Sequence, residues 1–468
     1  MRRRAVRGIH LQRLARAAPD TFAMKPIAPS LSIHLLVILA LTGCATEAPA
    51  QAATPGIGPS PALPAPAKPG FVPTVNIAPA EGWPQGAMPR APAGFRVTAL
   101  ATGLDHPRWV YTLPNGDVLV AESNKPAPKD GAKNTHAEGL RGMAMGFVMK
   151  RAGAGTPSAN RITLLRDVDG DGVAEGRHVF MTGLVSPFGM ALVGNELFIA
   201  NADAIVKVPY QTGQTSISAT PAKVTDLPAG ANHHWTKNII ASPDGSKLYA
   251  TVGSNSNIGD NGMASEEGRA AIWEVDRATG SKRLFAGGLR NPNGLGWEPQ
   301  SKALWTVVNE RDELGNDLVP DYLTSVKDGA FYGWPWSYWG QNVDSRVQPP
   351  NPQMVAKAIA PDYGLGSHGA PLGLVFADAR MPANYASGAF IGQHGSWTRK
   401  QLTGYNVVFV PFASGRPAGP PGEFLGGFIS PGGKAYGRPV GVALDGKGAL
   451  LVADDVGNVV WRVAPARP

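Results

Sequence analysis

The stretch Gly287–Gly296 reads GGLRNPNGLG and is followed, after a short turn, by the apolar run ALWTVVN. The same Gly-Leu-x-x-Pro pattern stands at Ala101–Val110 (ATGLDHPRWV) and at Thr182–Ala191 (TGLVSPFGMA), each time ahead of a β-rich run. Three related copies begin at His233, Gly369 and Gly437. Six copies at a spacing of roughly 60 residues are the sequence signature of a repeat architecture.

The turns between these runs favour short strands over helices. Pro-Asn-Gly, Pro-Asp-Gly and Asp-Gly-Lys-Gly sit where hairpins require them, and the 468 residues include 58 Gly and 43 Pro. We predict an all-β chain whose residues 94–468 form a six-bladed β-propeller, with a pair of β-sandwiches as the alternative. The long inserts 123–160 and 309–365 are expected to be loops on one face, where propellers carry function.

Charge and cysteine content exclude several classes of function. The formal net charge is +8, but +6 of it falls within residues 1–43, and the rest of the chain carries no basic stripe interleaved with aromatics. A nucleic-acid partner is therefore not expected. One cysteine can build neither a disulfide framework nor a thiolate zinc site.

The N-terminal residues are typical of an export signal. Residues 31–42 form an apolar run too short to span a bilayer, and the run ends at Leu41-Thr-Gly-Cys44, which resembles a bacterial lipobox. We predict a lipoprotein signal peptide over residues 1–43 and lipidation of Cys44, with a plain secretory peptide as the alternative. Met24 is an alternative start, which would make residues 1–23 an extension.

The residues after the predicted lipid anchor form a tether in this interpretation. Residues 44–93 are rich in Ala and Pro and show no hydrophobic period, which is typical of a semi-extended linker. An aspartate directly after the lipidated cysteine would resemble an inner-membrane retention signal, but residue 45 is Ala. We therefore expect an exported lipoprotein on the periplasmic side of the outer membrane.

Two motifs carry candidate chemistry. His233 and His234 precede an apolar strand, and a histidine near a central cavity suits a general base because its pKa lies near neutrality. A structural or metal-binding pair is the alternative. Arg290, with Asn291 beside it, and Arg438 in the sixth copy suggest an anionic ligand on the axis, with surface salt bridges as the alternative.

A third motif suggests a metal. The turn Asp167–Glu175 reads DVDGDGVAE, with carboxylates at alternate positions. Asp167, Asp169 and Asp171 are candidate calcium ligands between two strands, although His178 stands where an EF-hand needs its last glutamate. A hairpin turn rich in Asp and Gly is the alternative.

The motifs together resemble a known family. HHWTKN, GLRNPNGL, NERDELGND, YGWP and GSWTR stand in the order found in the pyrroloquinoline quinone (PQQ) dependent aldose sugar dehydrogenases, and most closely in their sorbosone dehydrogenase branch. The resemblance covers about residues 95–466. It implies a six-bladed propeller that oxidises an aldose or a sugar aldehyde such as sorbosone by hydride transfer to PQQ.

The resemblance also implies roles for single residues. His234 matches the base that takes the proton of the sugar hydroxyl, and His233 stands where some members have an assisting aspartate. Arg290 and Asn291 match residues that meet quinone and substrate. The positions expected to pair with the cofactor carboxylates are Arg438 and, in the fifth copy, Arg399. A second arginine of some members is Val440 here.

The family further implies a calcium ion beside the quinone, held partly by backbone carbonyls that map to Glu310, Arg311 and Asp312. An external electron acceptor, either a quinone or a cytochrome, is expected because the sequence contains no CxxCH haem motif. Two other functions stay open at this point. They are a calcium-dependent lactonase or esterase and a binding propeller without catalysis.

Overall fold

The computed structural model describes residues 55–67, 74–126, 146, 148–230 and 234–466. The strands of this part of the chain are β1 Ile57–Gly58, β2 Phe95–Thr102, β3 Pro107–Thr112, β4 Val118–Glu122, β5 Arg161–Arg166, β6 Gly176–Met181, β7 Met190–Val193, β8 Glu196–Ala200, β9 Ala204–Pro209, β10 Ala222–Asp226, β11 Ile239–Ala241, β12 Lys247–Val252, β13 Ala271–Asp276, β14 Lys282–Gly287, β15 Asn291–Trp297, β16 Leu304–Asn309, β17 Pro320–Ser325, β18 Ser337–Tyr338, β19 Asn342–Val343, β20 Tyr363–Ser367, β21 Pro371–Phe376, β22 Gly388–Gln393, β23 Asn406–Ala413, β24 Arg416–Pro417, β25 Gly422–Leu425, β26 Pro439–Leu444, β27 Leu450–Asp454 and β28 Val459–Pro465. The short helical pieces are a π-helical turn Lys150–Ala154, α1 Pro352–Lys357, and 3₁₀ turns Met263–Glu266 and Ala383–Tyr385.

Six antiparallel sheets form the blades of a β-propeller, which confirms the predicted fold, and β18 and β19 form a separate two-stranded ribbon. In chain order the sheets are β3–β6, β7–β10, β11–β14, β15–β16–β17–β20, β21–β22–β23–β25 and β26–β27–β28–β2. We number them blades 1 to 6. Blade 6 takes its outer strand from the beginning of the chain, because β2 pairs with β28 from Phe95 opposite Pro465 to Thr102 opposite Val459. This pairing closes the ring, because the last blade is completed by a strand from the other end of the propeller domain.

The repeated glycine explains why the copies resemble one another. A Cβ added at Gly294 in blade 4 would lie 2.6 Å from the backbone of Leu374 in blade 5, and one at Gly373 would lie 2.3 Å from the carbonyl of Val440 in blade 6. The inner strands of neighbouring blades therefore approach more closely than a side chain allows. The strand ends that precede these glycines consequently meet around one axis.

One of the predicted loops contains regular structure. Within the insert 309–365, β17 is the third strand of blade 4 and β20 begins its fourth, so this stretch is not a loop throughout. The expectation counted β17 as loop because the long excursion between β17 and β20, which carries α1 and the β18–β19 ribbon, hides the repeat. The described parts of the other insert, 123–160, connect β4 to β5.

The segment expected to be a tether also differs from its prediction. Its described residues pack against the propeller, with β1 pairing with β20 and single bridges joining Ala80 to Ala435 and Arg90 to Gly426. The indole of Trp83 donates a 2.7 Å hydrogen bond to the buried carboxylate of Asp454. The compact unit accordingly spans Ala52–Pro468, which places its beginning well before residue 94.

The predicted signal peptide and Cys44 lie outside the described residues, so export and lipidation stay predictions. In the part of the chain that the structure covers, no helix combines the length and the apolar character needed to cross a membrane.

Trp83 should stabilise the fold although it lies in the presumed linker. Its ring contacts the rings of Phe428 and Trp461 at 5.3 and 5.2 Å between centroids. We expect Trp83→Ala to lower the free energy of unfolding by about 2 kcal/mol, because ring packing and the bond to Asp454 are both lost. Urea unfolding followed by circular dichroism measures this. Met88→Ala, an exposed position of the same segment, is the control, and an equal effect in both variants would contradict the packing role.

Candidate functional site

His234 stands in the loop before β11 in a defined tautomer. Its ring Nδ1 lies 2.9 Å from the carbonyl oxygen of Ser254 and 3.0 Å from its hydroxyl oxygen. The hydroxyl of Ser254 donates to the carbonyl of Ser256, so both oxygens can only accept from the imidazole. Nδ1 therefore carries the proton, and Nε2 has the lone pair that a general base needs.

Asn291 lies beside His234. A Cβ built on Gly253 would lie 2.3 Å from Oδ1 of Asn291 and 2.6 Å from Cβ of His234, so one glycine separates the two side chains. Oδ1 of Asn291 is buried and has no hydrogen-bond partner among the described residues. The structure thus brings together two of the predicted residues and places an acceptor next to His234.

Arg290 is also at this place, but its guanidinium is largely occupied by the protein. It donates to the carbonyl oxygens of Asn257 at 3.2 Å and Glu310 at 2.7 Å, to the side chain of Asn257 at 2.9 Å, and to Oδ2 of Asp312 at 3.3 Å. Its own carbonyl accepts from the backbone of Ser254. Arg290 therefore ties the loops together around His234.

Asp312 holds Arg290 and is itself held by His368 and Thr398. Nδ1 of His368 lies 3.3 Å from Oδ1 of Asp312, and the hydroxyl of Thr398 donates to the same oxygen at 2.6 Å. Burial would raise the pKa of Asp312, but the bond from His368 and the charge of Arg290 outweigh it and lower the pKa to about 2. Burial opposes protonation of His368, yet Asp312 raises its pKa above the usual 6.5.

A second group of charged residues lies at the hub, and the sequence reasoning found only Arg438 among them. We define the hub cluster as His106, Arg108, His394, Arg438 and Asp455. Arg108 and Asp455 form a close ion pair, and Nε2 of His394 lies 2.8 Å from the same carboxylate oxygen. His106 is 3.5 Å from that oxygen. These residues come from blades 1, 5 and 6, so only the closed ring assembles them.

The hub cluster adjoins the loop of His234 through aromatic contacts. The guanidinium carbon of Arg108 lies 5.6 Å from the ring centre of Trp235 and 6.0 Å from that of Phe188. Trp235 directly follows His234 in the chain. The loop that carries His234 therefore lies beside the hub cluster.

Burial sets the charge state of the hub histidines. It lowers the pKa of His106 to about 4, against the opposing charge of Asp455, and it lowers the pKa of His394 in the same way. Burial alone would raise the pKa of Asp455, but the neighbouring His394, His106 and Arg108 hold it well below its usual range. Arg108 is consequently the permanent cation facing the ionised Asp455.

Arg438 is buried and stacks on Tyr405, with its guanidinium carbon 5.1 Å from the ring centre. It donates one side-chain bond, at 3.0 Å, to the carbonyl of Ala78 in the segment expected to be a tether. Its Nε, like that of Arg108, is buried without a hydrogen-bond partner among the described residues. Two buried arginines thus each keep an unused donor.

The other predicted cofactor residue lies differently. Arg399 is half-buried and pairs with Asp317 at 2.6 Å, and no contact on the described residues joins it to the hub cluster. His233 lies outside the described residues, so its assisting role stays a prediction.

The carbonyls predicted to hold calcium face guanidinium groups. The carbonyl of Glu310 accepts from Arg290 at 2.7 Å, and that of Asp312 accepts from Arg346 at 3.0 Å. The fully buried side chain of Arg311 bonds Glu310 and the carbonyls of neighbouring loop residues. A calcium ion at residues 310–312 would have to displace these guanidinium groups, so the residues fit the ion poorly.

The acidic turn between β5 and β6 fits a cation better. Asp167, Asp169, Asp171 and Glu175 each offer a carboxylate oxygen, and these oxygens lie within 4.8 Å of one another. Glu175 adds a fourth carboxylate to the three that the sequence singled out. Backbone N–H groups of the turn also donate to these carboxylates, as the hairpin alternative requires. The turn lies on blade 1, and none of its hydrogen bonds reaches the hub cluster.

Known proteins that are similar in sequence to this chain include a sugar dehydrogenase. A family model described as TrAA12-like matches residues 164–322 and 348–466. A protein of Borreliella burgdorferi described as uncharacterized is 27% identical over 292 residues, which cover 60% of this chain and 76% of that protein. The aldose sugar dehydrogenase YliI of Escherichia coli is 29% identical over 135 residues, 28% of this chain and 32% of that enzyme.

Solved structures share the fold at low sequence identity. The calcium structure of the Trichoderma reesei carbohydrate-active enzyme of family AA12 has a TM-score of 0.63 and 18% identity, covering 84% of this chain and 99% of that one. The holo form of the pyranose dehydrogenase PQQ domain from Coprinopsis cinerea has a TM-score of 0.62 and 20% identity, covering 83% and 100%. At these identities the likeness establishes the fold of the propeller.

The Asp312–His368 pair predicts a pH-dependent stability. Because the folded state raises the pKa of His368, its contribution is complete below pH 6.5 and is lost as the pH rises through the folded value. Asp312→Asn should destabilise the protein by about 3 kcal/mol at pH 6, since it leaves Arg290 without its carboxylate, and by less at pH 9. Urea midpoints at both pH values measure the difference.

Asp317→Asn is the matched control for that substitution. It changes a half-exposed aspartate of the same loop, which pairs with Arg399, and should cost under about 1 kcal/mol at either pH. A deficit of Asp312→Asn that is as large at pH 9 as at pH 6 would show that His368 does not contribute through its charge.

Proposed function

The chain belongs to the TrAA12-like family, and from this membership and the hub geometry we propose that it is a quinoprotein sugar dehydrogenase with PQQ as its cofactor. The observation that carries the proposal is the pair of buried arginines, Arg108 and Arg438, each with an unused Nε–H. A buried donor without an acceptor costs free energy, and a carboxylate-bearing ligand would supply the acceptor. PQQ is a tricarboxylic acid, so the residues present fit it.

The second cation of the cofactor site would come from blade 1. Val440 is the second residue of β26 and is fully buried, so blade 6 offers no cation there. Arg108 is the second residue of β3, whose backbone lies against the neighbouring Gly441. Arg108 thus fills, from the next blade, the role that an arginine at 440 has in some relatives.

His234 would act as the base. With its proton on Nδ1, Nε2 can accept the proton of a sugar hydroxyl. Oδ1 of Asn291, which lacks a partner among the described residues, can accept a hydrogen bond from another substrate hydroxyl and so orient the sugar. PQQ, when bound, supplies the acceptor for the hydride that leaves the same carbon. Arg290 holds these loops in position through its hydrogen bonds to their carbonyls.

Two finer points belong to this proposal, and one alternative function is disfavoured. The substrate is an aldose or a sugar aldehyde such as sorbosone, by resemblance of the motifs to the sorbosone dehydrogenase branch. The electrons pass on to an external quinone or cytochrome. A lactonase is less well supported, because the one cluster of four carboxylates among the described residues is on blade 1 and the hub cluster contributes a single carboxylate, already paired with Arg108.

The experiment that tests the function separates binding from chemistry. Titration of the purified protein with PQQ, followed by absorbance, should saturate for the wild type and for His234→Gln, and should weaken roughly tenfold or more for Arg108→Gln and Arg438→Gln. Dye reduction with a panel of aldoses and sorbosone should fall at least about 100-fold in His234→Gln, since the base is lost.

Arg166→Gln is the matched arginine control, since Arg166 pairs with Asp117 near the acidic turn and should leave PQQ binding unchanged. Absence of PQQ binding by the wild type, or full turnover in His234→Gln, would refute the proposal.

Calcium is proposed at the acidic turn, where the four carboxylates suit an ion that prefers oxygen ligands. Calcium should then raise the melting temperature of the wild type by about 3 °C relative to a chelator, because the ion binds only the folded turn. Asp169→Asn should abolish this gain. Asp244→Asn, in the single-carboxylate turn between β11 and β12, should retain it. Equal calcium effects in all three proteins would remove the turn as the binding site.

A further inference from the structure

Two oppositely charged residues are buried beside the loop of His234, and the proposed chemistry does not use them. Glu266 and Arg269 are 6% and 8% exposed and lie in the stretch that joins β12 to β13. The backbone N–H of Arg269 donates to the carbonyl of Glu266 at 3.0 Å, so the two residues close one turn. Charged side chains are rarely buried without partners, and the partners of these two therefore indicate their role.

Glu266 holds the stretch of chain that follows β12. One oxygen of its carboxylate accepts a 2.6 Å hydrogen bond from the backbone N–H of Asn255, and the other accepts a 2.5 Å bond from the hydroxyl of Ser256. The hydroxyl oxygen of Ser256 also accepts from the backbone N–H of Gly259 at 2.9 Å. Because hydrogen bonds to an ionised carboxylate are stronger than those between neutral groups, Glu266 fixes the backbone from 255 to 259.

The same stretch carries the two oxygens that accept from the imidazole of His234. Both belong to Ser254, and its hydroxyl is oriented by a 2.7 Å hydrogen bond that it donates to the carbonyl of Ser256. Ser256 is in turn bonded to Glu266. Two serines therefore connect the buried carboxylate to the proposed base. Since the bonds at one ring nitrogen decide which nitrogen carries the proton, this connection keeps the proton on Nδ1.

Arg269 holds the other stretch of chain at the base, the loop that carries His234 itself. Its side chain donates a 2.5 Å hydrogen bond to the carbonyl of Ala229, five residues before His234. The fully buried Lys237, three residues after His234, donates to the carbonyl of Trp235 at 3.3 Å. A buried cation is thus bonded to the loop on each side of the histidine.

The buried charges stabilise one another. Burial raises the pKa of Glu266, while its hydrogen bonds and the charge of Arg269 oppose this rise. Burial lowers the pKa of Arg269, and Glu266 opposes that change. Burial also lowers the pKa of Lys237 to about 7, with Arg269 acting in the same direction and Asp203 against it. Arg269 therefore favours the ionised form of Glu266, which is the form that accepts both hydrogen bonds.

We propose that Glu266 is a positioning residue that, through the turn 254–256, holds His234 in the tautomer and orientation that a general base requires. Glu266 acts through the two serines and has no role of its own in the proton transfer. This inference rests on the proposed function for the identity of the base, but the tautomer of the imidazole can be measured without PQQ, substrate or turnover.

Nitrogen NMR of the purified chain, with nitrogen-labelled histidine and without PQQ, reports the tautomer directly. The ring signals of His234 are identified by their loss in His234→Gln. At a pH where the ring is neutral, the wild type should have its proton on Nδ1. Glu266→Gln should move the proton population toward Nε2, because an amide accepts only through its oxygen and directs N–H groups at one of the two donors that the carboxylate holds. A wild-type proton on Nε2, or an unchanged tautomer in Glu266→Gln, would overturn the proposal.

Two further variants separate positioning from a general loss of structure. Ser256→Ala removes one hydroxyl of the connection and keeps the buried carboxylate, so it should move the tautomer in the same direction but less far. Glu267→Gln changes the exposed glutamate next in the chain and is the matched control, which should leave the ring signals unchanged. If Glu266→Gln does not fold, Ser256→Ala decides the matter, and a wild-type tautomer in that variant would overturn the proposal.

The positioning role and the proposed function fail in different ways. A tautomer change in Glu266→Gln, in a protein that oxidises no sugar, would refute the dehydrogenase and leave the positioning role standing. Sugar oxidation by a wild type whose tautomer is unaffected by Glu266→Gln would do the reverse. If both proposals hold, Glu266→Gln should lower kcat roughly tenfold or more with KM nearly unchanged, and Glu266→Asp, which keeps the carboxylate, should restore part of the loss.

Discussion

The close approach of neighbouring inner strands is the constraint on which the molecule depends. Where Gly294, Gly373 and Gly441 face the next blade, a Cβ would lie 2.9 Å or less from the neighbouring backbone. Removing side chains at these points lets the strands converge and brings the loops that precede them to one axis. Where the first copy has Trp109 instead of glycine, its ring packs on Phe188 of blade 2 at 4.8 Å, so the joint is filled by an aromatic pair.

Where the inner strands converge, the buried arginines fall into two groups that differ in how many of their donors are bonded to the protein. Arg290 donates hydrogen bonds to loop carbonyls and to the side chains of Asn257 and Asp312, and so holds the loops together. Arg108 and Arg438 are equally buried but keep an unused Nε–H each. Arg108 pairs with Asp455 and Arg438 donates to Ala78, so the protein holds both side chains and leaves each one donor that the proposed cofactor would use. The buried carboxylates of Asp312 and Asp455 pair with Arg290 and Arg108, respectively.

The sequence predicted those features whose residue pattern recurs from blade to blade. The six repeat copies, three of which contain Gly-Leu-x-x-Pro, predicted the six blades, and the motifs singled out His234, Asn291 and Arg438 as candidate site residues. The pair of Arg108 and Asp455 is separated by most of the chain and becomes adjacent only when the ring closes, so no local pattern pointed to it. A comparison of the second residue of β3 with that of β26 would have found Arg108.

The tether was misjudged for a different reason. Its Pro and Ala residues give no hydrophobic period, and its contacts with the propeller are made by backbone bridges and by the single large ring of Trp83. Composition measures the average of a segment, whereas one indole and a few backbone bonds are enough to hold it in place. The role of Arg290 was likewise not readable, because its partners are mostly loop carbonyls.

The pairing of β2 with β28 has a consequence for how the binding region comes into being. Arg108 and Ala78 belong to the early part of the polypeptide, while Arg438 and Asp455 are among its last residues. A chain still missing its final strands can form blades but not the electrostatic centre. The region proposed to bind the cofactor therefore forms only when β2 has paired with β28 and blade 6 is closed.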